Sequence, residues 1–301
     1  MSEEQTPQQD KYTAAIAASA VIEDDAAVAE AVEKIIDEHA AENRNAEVYK
    51  KLFSCIDLTT LKSTDSYSSV ARFTEKVNSF SETFPSLPNV AAICVYPNFA
   101  GVVRSVLESS DVRIACVSGG FPSSQTFDEV KIVETALAVE NGADEIDIVL
   151  NLGYFFDKDY EGLSDEISEQ KAATRHGRLK VILETGALKT AANIKAASVL
   201  AMYSGADFLK TSTGKEYPGA SLEAAYVMLQ TIKEYYDKTG TRIGFKAAGG
   251  IATTDEAVQY YTLVKEILGE DWLTNEYFRI GASRLANSLL SDIVGYEAKH
   301  F

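Results

Sequence analysis

The chain has 301 residues, of which 46% are hydrophobic and 24% are charged. These proportions are typical of a folded globular protein and exclude wholesale disorder. Its 28 Lys and Arg against 45 Asp and Glu give a formal charge of −17, which excludes a general electrostatic surface for nucleic acid. No apolar run reaches the roughly 18–20 residues that cross a bilayer, and no secretory signal pattern is visible. The three cysteines lack metal-type spacing and predict buried thiols in a reducing compartment, which we take to be the cytoplasm.

Residues 1–45 differ in composition from the rest of the chain, being rich in Ala, Glu and Asp and free of glycine. We expect the first dozen residues to form a disordered tail. Apolar residues at helical spacing then predict an amphipathic helix over Asp24–Glu42, capped by Asp24 or Asp25. The predicted division is an N-terminal extension over residues 1–45, packed on a barrel or on a neighbouring subunit, and a catalytic domain over residues 46–301.

From Lys51 onward, short apolar runs alternate with longer stretches of helical periodicity. The predicted strands are Leu52–Leu58, Val90–Val95, Arg113–Val117, Glu145–Leu150, Lys180–Glu184, Phe208–Lys210, Ile243–Lys246 and Phe278–Ile280. The clearest predicted helices between them are Phe127–Asn141, Ala191–Ser204, Leu222–Lys238 and Thr254–Leu268. Eight such units predict a closed (β/α)8 barrel. An open nucleotide-binding sheet would carry a glycine-rich turn after its first strand, and SCIDLTTLKST has no glycine.

Two lysines end neighbouring predicted strands, Lys210 in ADFLK and Lys246 in RIGFK. If both face the barrel interior, they lie ~5 Å apart, and mutual repulsion with desolvation lowers the pKa of each. A neutral lysine can form an imine, so the pair suits covalent catalysis. The alternative is that each lysine extends to the rim or pairs with Asp147 or Glu184.

Glycines follow the last three predicted strands, at the barrel end where active sites lie. The loops after strands seven and eight of a barrel commonly hold phosphate through backbone N–H groups and a helix N-terminus. Three such loops in succession therefore predict a phosphate site, although glycine is also common in any strand-to-helix turn. The residues concerned are Gly214, Lys215, Gly249, Gly250, Gly281 and Ser283.

Other chemistry-bearing residues have two interpretations each. Asp147 lies within predicted strand four, where it either pairs structurally with a lysine or transfers protons. Asp57 either holds a substrate hydroxyl or caps the following turn, and Cys94 either faces the lumen or packs in the core. No histidine falls at a strand end, so neither a histidine triad nor a metal site is expected; the three are His39, His176 and His300.

Seven segments, in order between Lys51 and Ser291, together resemble the deoxyribose-phosphate aldolase family. They are DLTTL (57–61), NVAAICVYP (89–97), ADEIDIVLN (143–151), LKVILETG (179–186), GADFLKTSTGK (205–215), GFKAAGG (244–250) and RIGAS (279–283). The resemblance implies a TIM barrel that needs no metal or other cofactor. It also implies reversible cleavage of 2-deoxy-D-ribose 5-phosphate to acetaldehyde and D-glyceraldehyde 3-phosphate.

By this resemblance Lys210 forms the imine, Lys246 tunes it, and Asp147 handles protons through an ordered water. The implied substrate and phosphate positions are Asp57, Thr213, Gly214, Lys215, Gly249, Gly250, Gly281, Ser283 and Arg284. The expected partner is a small phosphorylated sugar, with neither nucleic acid nor membrane, and the expected assembly is a homo-oligomer.

Three positions depart from the family pattern. Ala252 has no polar group where many members carry Arg, Lys or Ser, and Arg284 stands where a small polar residue is common. Phe301 lacks the hydroxyl of a tyrosine that some members use for proton transfer. Two alternatives stay open: another imine-forming barrel, such as a transaldolase-like enzyme, and a non-catalytic barrel that binds a phosphorylated ligand.

Overall fold

Eight parallel strands close into a barrel in the order of the sequence in the computed structural model, which describes residues 10–21 and 24–301. The strands are β1 (Ile56–Thr59), β2 (Ala92–Val95), β3 (Arg113–Ser118), β4 (Glu145–Val149), β5 (Arg178–Ile182), β6 (Phe208–Lys210), β7 (Gly244–Ala248) and β8 (Phe278–Ala282). β1 pairs with both β2 and β8, which closes the ring. The predicted (β/α)8 barrel is confirmed.

Helices alternate with the strands and surround the barrel. They are α1 (Lys11–Ala17), α2 (Asp25–His39), α3 (Ala46–Ser54), α4 (Tyr67–Thr83), α5 (Ala100–Val106), α6 (Asp128–Glu140), α7 (Leu152–Asp157), α8 (Tyr160–Ala173), α9 (Thr185–Leu188), α10 (Ala191–Tyr203), α11 (Leu222–Thr239), α12 (Thr254–Leu268) and α13 (Arg284–Val294). None of the helices in this described part of the chain has the length and apolar character to cross a bilayer.

The first predicted strand was wrong in its N-terminal half. Leu52 belongs to α3, and the strand begins only at Ile56. Asn45 caps α3 by accepting from the N–H of Val48, which starts a helix that buries Val48 and Leu52 one turn apart. The apolar run was therefore the buried face of a helix followed by a short strand, a distinction that periodicity cannot make over so few residues.

The N-terminal extension packs on the outside of its own barrel. Helix α1 contacts α10, and α2 contacts α11 and α12. Asp24 caps α2 as predicted, with Val28 and Val32 buried, although the helix ends at His39 rather than Glu42. The predicted tail is wrong at Lys11 and Tyr12, which begin α1, and its first nine residues lie outside the described part of the chain.

Side chains alternate along each strand between the outer face, which packs against the helices, and the inner face, which lines the barrel lumen. Residues that face the helices are apolar and form the main core. A small apolar cluster lines the lumen at β2 and β3, formed by Leu61, Ala92, Cys94, Ala115 and Val117. Cys94 thus faces the lumen and is also a packed thiol, whose pKa is raised by burial. Elsewhere the lumen face carries buried charged side chains, together with apolar ones such as Ile182 and Phe208.

Candidate active site

Asp147 binds three lysine side chains in the middle of the barrel. Its Oδ2 lies 2.8 Å from the Nζ of Lys210 and 2.8 Å from the Nζ of Lys246. Its Oδ1 lies 2.9 Å from the Nζ of Lys180 on β5. Lys210 on β6 is directly opposite Lys246 on β7 in the strand register, which confirms that the two lysines are neighbours. Both lysines also pair with Asp147, which was the alternative interpretation of the sequence.

A second set of buried charges lies next to this trio. Lys246 Nζ is 2.5 Å from Asp57 Oδ2, and the Asp57 Oδ1 is 2.6 Å from the guanidinium of Arg279. Arg279 also binds Glu145 at 2.8 Å, and Glu145 lies 2.6 Å from Lys180 Nζ. Glu145, Lys180 and Arg279 were not predicted, although Glu145 shares the lumen face with Asp147 two residues later on β4.

The lysines have different numbers of carboxylate partners, and their pKa values shift in opposite directions. Burial lowers the pKa of Lys210, and the Lys246 ammonium reinforces this against the pull of Asp147. Burial also disfavours the charge of Lys246, but Asp147 and Asp57 together raise its pKa. The expectation of a lowered pKa is confirmed for Lys210 and wrong for Lys246. Lys210 is the amine of the pair that gives up its proton more readily.

A cleft of about 570 Å³ opens above Lys210, which contributes to its floor and is 4% exposed. The cleft brings together the predicted loop positions Thr213, Gly214, Lys215, Gly249, Gly250, Gly281, Ser283 and Arg284. Asp57, Asp147 and Lys246 lie below it and are fully buried. Asp57 does not cap the following turn, because Asp65 accepts the bonds of that turn from Thr60 and Lys62.

The lining of the cleft is basic although the protein is acidic. Its cationic side chains are Lys62, Lys76, Lys210, Lys215 and Arg284. None of its lining residues within the described ranges is an aspartate or glutamate. Lys62 and Lys76 were not predicted, since they come from the β1 loop and from α4 rather than from the glycine loops. This local field attracts an anion against the overall charge of −17.

The two helix N-termini beside the cleft are not equivalent. Helix α13 starts at Arg284, and the side chain of Ser283 makes no capping hydrogen bond, so its first N–H groups have no side-chain cap. Helix α12 is closed by a capping box between Thr253 and Glu256, and Glu256 also accepts from Ala252. The capping box and the carboxylate of Glu256 therefore occupy part of the α12 N-terminus, and a phosphate contact after strand seven stays a prediction.

Two glycines lie where a larger side chain would crowd its neighbours. Gly249 has φ +91°, and a Cβ there would lie 2.9 Å from the Cα of Gly219. Gly281 lies within β8 rather than in the following loop, and a Cβ there would lie 3.1 Å from the Cε of Lys246. Gly281 thus leaves the space through which the Lys246 side chain reaches Asp147 and Asp57.

Glu184 holds the loop after β6 in place. It is buried with φ +55° and accepts from the N–H of Thr213 at 3.2 Å and from its hydroxyl at 2.5 Å. Burial raises the pKa of Glu184. Lys215 in the same loop donates to the carbonyl of Leu61, which joins the loop to the segment after β1. Glu184 therefore binds the loop rather than a lysine, and the hydroxyl proton of Thr213 is already engaged.

Phe301 forms part of the cleft wall. Its ring stacks on Phe80 at 5.6 Å between centroids and contacts Phe53. Asn287 on α13 accepts from the N–H of Phe301 at 3.1 Å and donates to its carbonyl at 2.9 Å. His300 packs against Phe80 and does not line the cleft, and neither His39 nor His176 lines it.

The fold and the cleft together define a (β/α)8-barrel enzyme with a buried lysine at the floor of a basic site. The chain belongs to the DeoC/LacD aldolase family, whose sequence model matches residues 51–267. It is therefore an aldolase, a lyase, and the resemblance seen in the motifs is confirmed.

Relatives of known name agree with this assignment. A Caenorhabditis elegans relative is 42% identical over 272 residues, 90% of this chain and 89% of its own. A Mus musculus protein named deoxyribose-phosphate aldolase is 42% identical over 253 residues, 81% of this chain and 78% of its own. A solved Aeropyrum pernix structure, described as a tetrameric deoxyribose phosphate aldolase, superposes with a TM-score of 0.65 at 23% identity, covering 86% of this chain and 95% of that one. This last likeness concerns the fold.

Proposed function

We propose that the protein reversibly cleaves 2-deoxy-D-ribose 5-phosphate to acetaldehyde and D-glyceraldehyde 3-phosphate through an imine on Lys210. The observation that carries this proposal is the difference between the paired lysines. Lys246 is held by two carboxylates at 2.5 and 2.8 Å, whereas Lys210 has one at 2.8 Å and reaches the cleft. Relatives named deoxyribose-phosphate aldolase support the choice of substrate.

The reaction begins when the neutral amine of Lys210 attacks the aldehyde carbon of the open-chain sugar and water leaves. The resulting protonated imine accepts the electron pair of the C2–C3 bond as the C3 hydroxyl loses its proton. D-Glyceraldehyde 3-phosphate then departs and leaves an enamine on Lys210. Protonation of the enamine at C2 and hydrolysis of the imine release acetaldehyde and restore the amine.

The buried charges around the imine supply and hold protons. Asp147 contacts Lys210 and Lys246 through the same oxygen, so it can take up a proton from either side chain and return it as the imine forms and breaks down. Lys246 stays protonated between Asp147 and Asp57 and disfavours a second ammonium at Lys210. Asp57 contacts Lys246 and Arg279 and orients Lys246 rather than touching the substrate.

The phosphate of the substrate fits the far side of the cleft. The uncapped N-terminus of α13, the glycines after β7 and the side chain of Arg284 offer donors there. Lys62 and Lys76 add positive charge, which compensates for the apolar Ala252. The phosphate thus anchors the sugar while its aldehyde end reaches Lys210.

Borohydride reduction in the presence of acetaldehyde tests the proposal. We expect a two-carbon adduct on Lys210, located by peptide mass spectrometry, together with cleavage of deoxyribose 5-phosphate that persists in chelator. Lys210→Arg should abolish both, because guanidinium stays protonated and is a poor nucleophile. A trapped adduct with cleavage of other sugar phosphates only would indicate a different imine-forming barrel. The absence of any adduct would indicate a binding protein.

A further inference from the structure

The buried charges of the barrel lumen are unequal in number. We call them the lumen cluster, and each member is at most 4% exposed. The cluster consists of the cations Lys180, Lys210, Lys246 and Arg279 and the carboxylates Asp57, Glu145 and Asp147. Four cations face three carboxylates, so protonation of all three lysines leaves one unbalanced positive charge in a buried interior, where such a charge is costly.

The contacts decide which cation gives up its proton. Arg279 cannot, because guanidinium is not deprotonated in proteins. Lys180 lies 2.6 Å from Glu145 and 2.9 Å from Asp147, and Lys246 also has two carboxylates within 2.8 Å. Lys210 has one carboxylate partner in the cluster, Asp147, which it shares. Loss of the proton from Lys210 balances three cations against three carboxylates.

We propose that Arg279 is a positioning residue whose permanent charge makes Lys210 the neutral amine of the cluster. The proposal rests on the imine function of Lys210 and adds a residue to it that does not reach the cleft. Arg279 occupies Asp57 and Glu145, with contacts of 2.6 and 2.8 Å. Asp57 and Glu145 each hold one ammonium besides this guanidinium, Lys246 and Lys180 respectively. Neither carboxylate is therefore available to hold the ammonium of Lys210. The charge of Arg279 therefore acts on Lys210 through Asp57, Lys246 and Asp147.

The remaining charged and titratable groups near the cluster do not restore the balance. Arg113 lies 3.6 Å from the buried Glu145 and so adds positive charge beside the cluster. Arg113 and Arg178 lie at the lower end of the barrel, and both bind Glu276. All three are between 26% and 42% exposed at the side chain, so solvent screens them. Among the described residues, the Cys94 thiol and the Glu184 carboxyl also act on Lys210, and burial raises the pKa of each. Both shifts favour the neutral form of the group.

The test measures the pH midpoint of acetaldehyde trapping by borohydride on Lys210. Arg279→Met leaves three cations and three carboxylates, so Lys210 can keep its proton and the midpoint should rise by about one pH unit or more. At a pH below the midpoints of both proteins, Arg279→Met should then be trapped about tenfold or more slowly than the unmodified protein. Glu145→Gln leaves four cations and two carboxylates, and the midpoint should fall. The double variant restores a single excess cation, and its midpoint should return toward that of the unmodified protein.

Arg44→Met is the matched control, because Arg44 pairs with Asp255 at the surface and should leave the midpoint unchanged. A uniform loss of trapping at every pH in Arg279→Met, with an unchanged midpoint, would show that Arg279 is merely structural and would overturn the proposal. If Arg279→Met does not fold, Glu145→Gln decides, and a midpoint that does not fall overturns the proposal. Absence of an adduct on Lys210 in the unmodified protein would instead refute the imine function itself.

Discussion

At the scale of single residues, Asp147 is the centre of the site because it accepts from three lysines at 2.8–2.9 Å. Its pKa would be raised by burial, but Lys180, Lys210 and Lys246 hold it well below the ordinary value. A carboxylate that stays ionised can keep two ammonium groups charged beside one neutral amine. The proposed imine chemistry therefore depends on how many carboxylate partners each lysine has.

Removal of the Lys246 charge tests this dependence. Lys246→Met keeps the length of the side chain but removes one of the three ammonium groups that Asp147 contacts. The pKa of Lys210 should therefore rise toward the free value of ~10.4. A rise of two to three units would reduce the neutral amine at pH 7 by about a hundred- to a thousandfold. We expect slow trapping at neutral pH that recovers in alkaline buffer. Trapping at the unmodified rate at pH 7 would refute the coupling, and an adduct on Lys246 in the unmodified protein would reverse the roles.

At the scale of elements, the ends of helices and strands decide where an anion can bind. The N-terminus of α12 is closed by its own capping box, whereas that of α13 is not. Arg284 is the first residue of α13 and lines the cleft. The helix dipole and the guanidinium thus act at the same place.

Arg284→Ala should raise the KM for deoxyribose 5-phosphate by about tenfold and leave that for free deoxyribose nearly unchanged. One charge-assisted hydrogen bond is worth about 1.5–3 kcal/mol, which sets this scale. Steady-state kinetics with both sugars provide the measurement, and Arg104→Ala, outside the cleft, is the control. In the unmodified protein the free sugar should be used roughly a thousandfold less efficiently. Equal efficiencies for the two sugars would contradict a phosphate site in this cleft.

The C-terminal segment is held by packing and by backbone contacts, which Phe301→Ala tests. The ring of Phe301 stacks on Phe80, while the side chain of Asn287 accepts from the main-chain N–H of Phe301 and donates to its main-chain oxygen. Because phenylalanine has no hydroxyl to relay a proton, we expect turnover to change less than tenfold. A loss of a hundredfold or more would indicate that the ring excludes water from the reacting imine. Turnover under saturating substrate is the appropriate measurement.

At the scale of the whole molecule, the barrel interior holds charges that couple stability to pH. The pKa values of Asp57, Glu145 and Asp147 would be raised by burial but are lowered by their cationic partners. On acidification below the unfolded pKa of ~4, the unfolded chain takes up protons that the folded chain resists. The stabilising contribution is therefore complete above about pH 5 and is lost as the pH falls toward the lower folded values.

Urea unfolding between pH 3 and pH 6 measures this effect. The free energy of unfolding should fall with decreasing pH, and in Asp57→Asn the slope should be smaller by up to about 1.4 kcal/mol per pH unit, the contribution of one proton. Asp237→Asn, at an exposed surface pair, should keep the original slope. Equal slopes in Asp57→Asn and the unmodified protein would contradict the lowered pKa of Asp57.

The N-terminal extension belongs to the outer layer of the molecule, and its division from the barrel at residue 45 stays a prediction. Val28 and Val32 are buried, and Asn43 donates to Thr262 at 3.0 Å. Deletion of residues 1–45 should leave cleavage activity but lower the free energy of unfolding by several kcal/mol, at about 1.5–3 kcal/mol for each buried valine. Thermal unfolding and activity of the shortened chain are the measurements. Loss of activity in a folded product would show that the extension is part of the catalytic domain.

The sequence by itself determined the barrel, because alternating apolar runs and helical periodicity are local properties. It also placed Lys210 opposite Lys246, since the two lysines hold matching positions in predicted strands that are neighbours in the chain order, although β7 continues past Lys246 to Ala248. The family motifs added a predicted role for each lysine, and they marked the loop glycines that the cleft brings together. These features need only spacing along the chain and the known end of a barrel where active sites lie.

Tertiary structure decided which charges balance one another. Arg279 meets Asp57 only because the last strand pairs with the first, across 222 residues of sequence. The opposite pKa shifts of Lys210 and Lys246 follow from counting carboxylates around each ammonium, which no spacing rule supplies. The capping of α12 by Glu256 and the space that Gly281 leaves for Lys246 are likewise matters of atomic contact. Electrostatic energies depend on distance and burial in three dimensions, and for that reason the lumen cluster could not be read from local pattern.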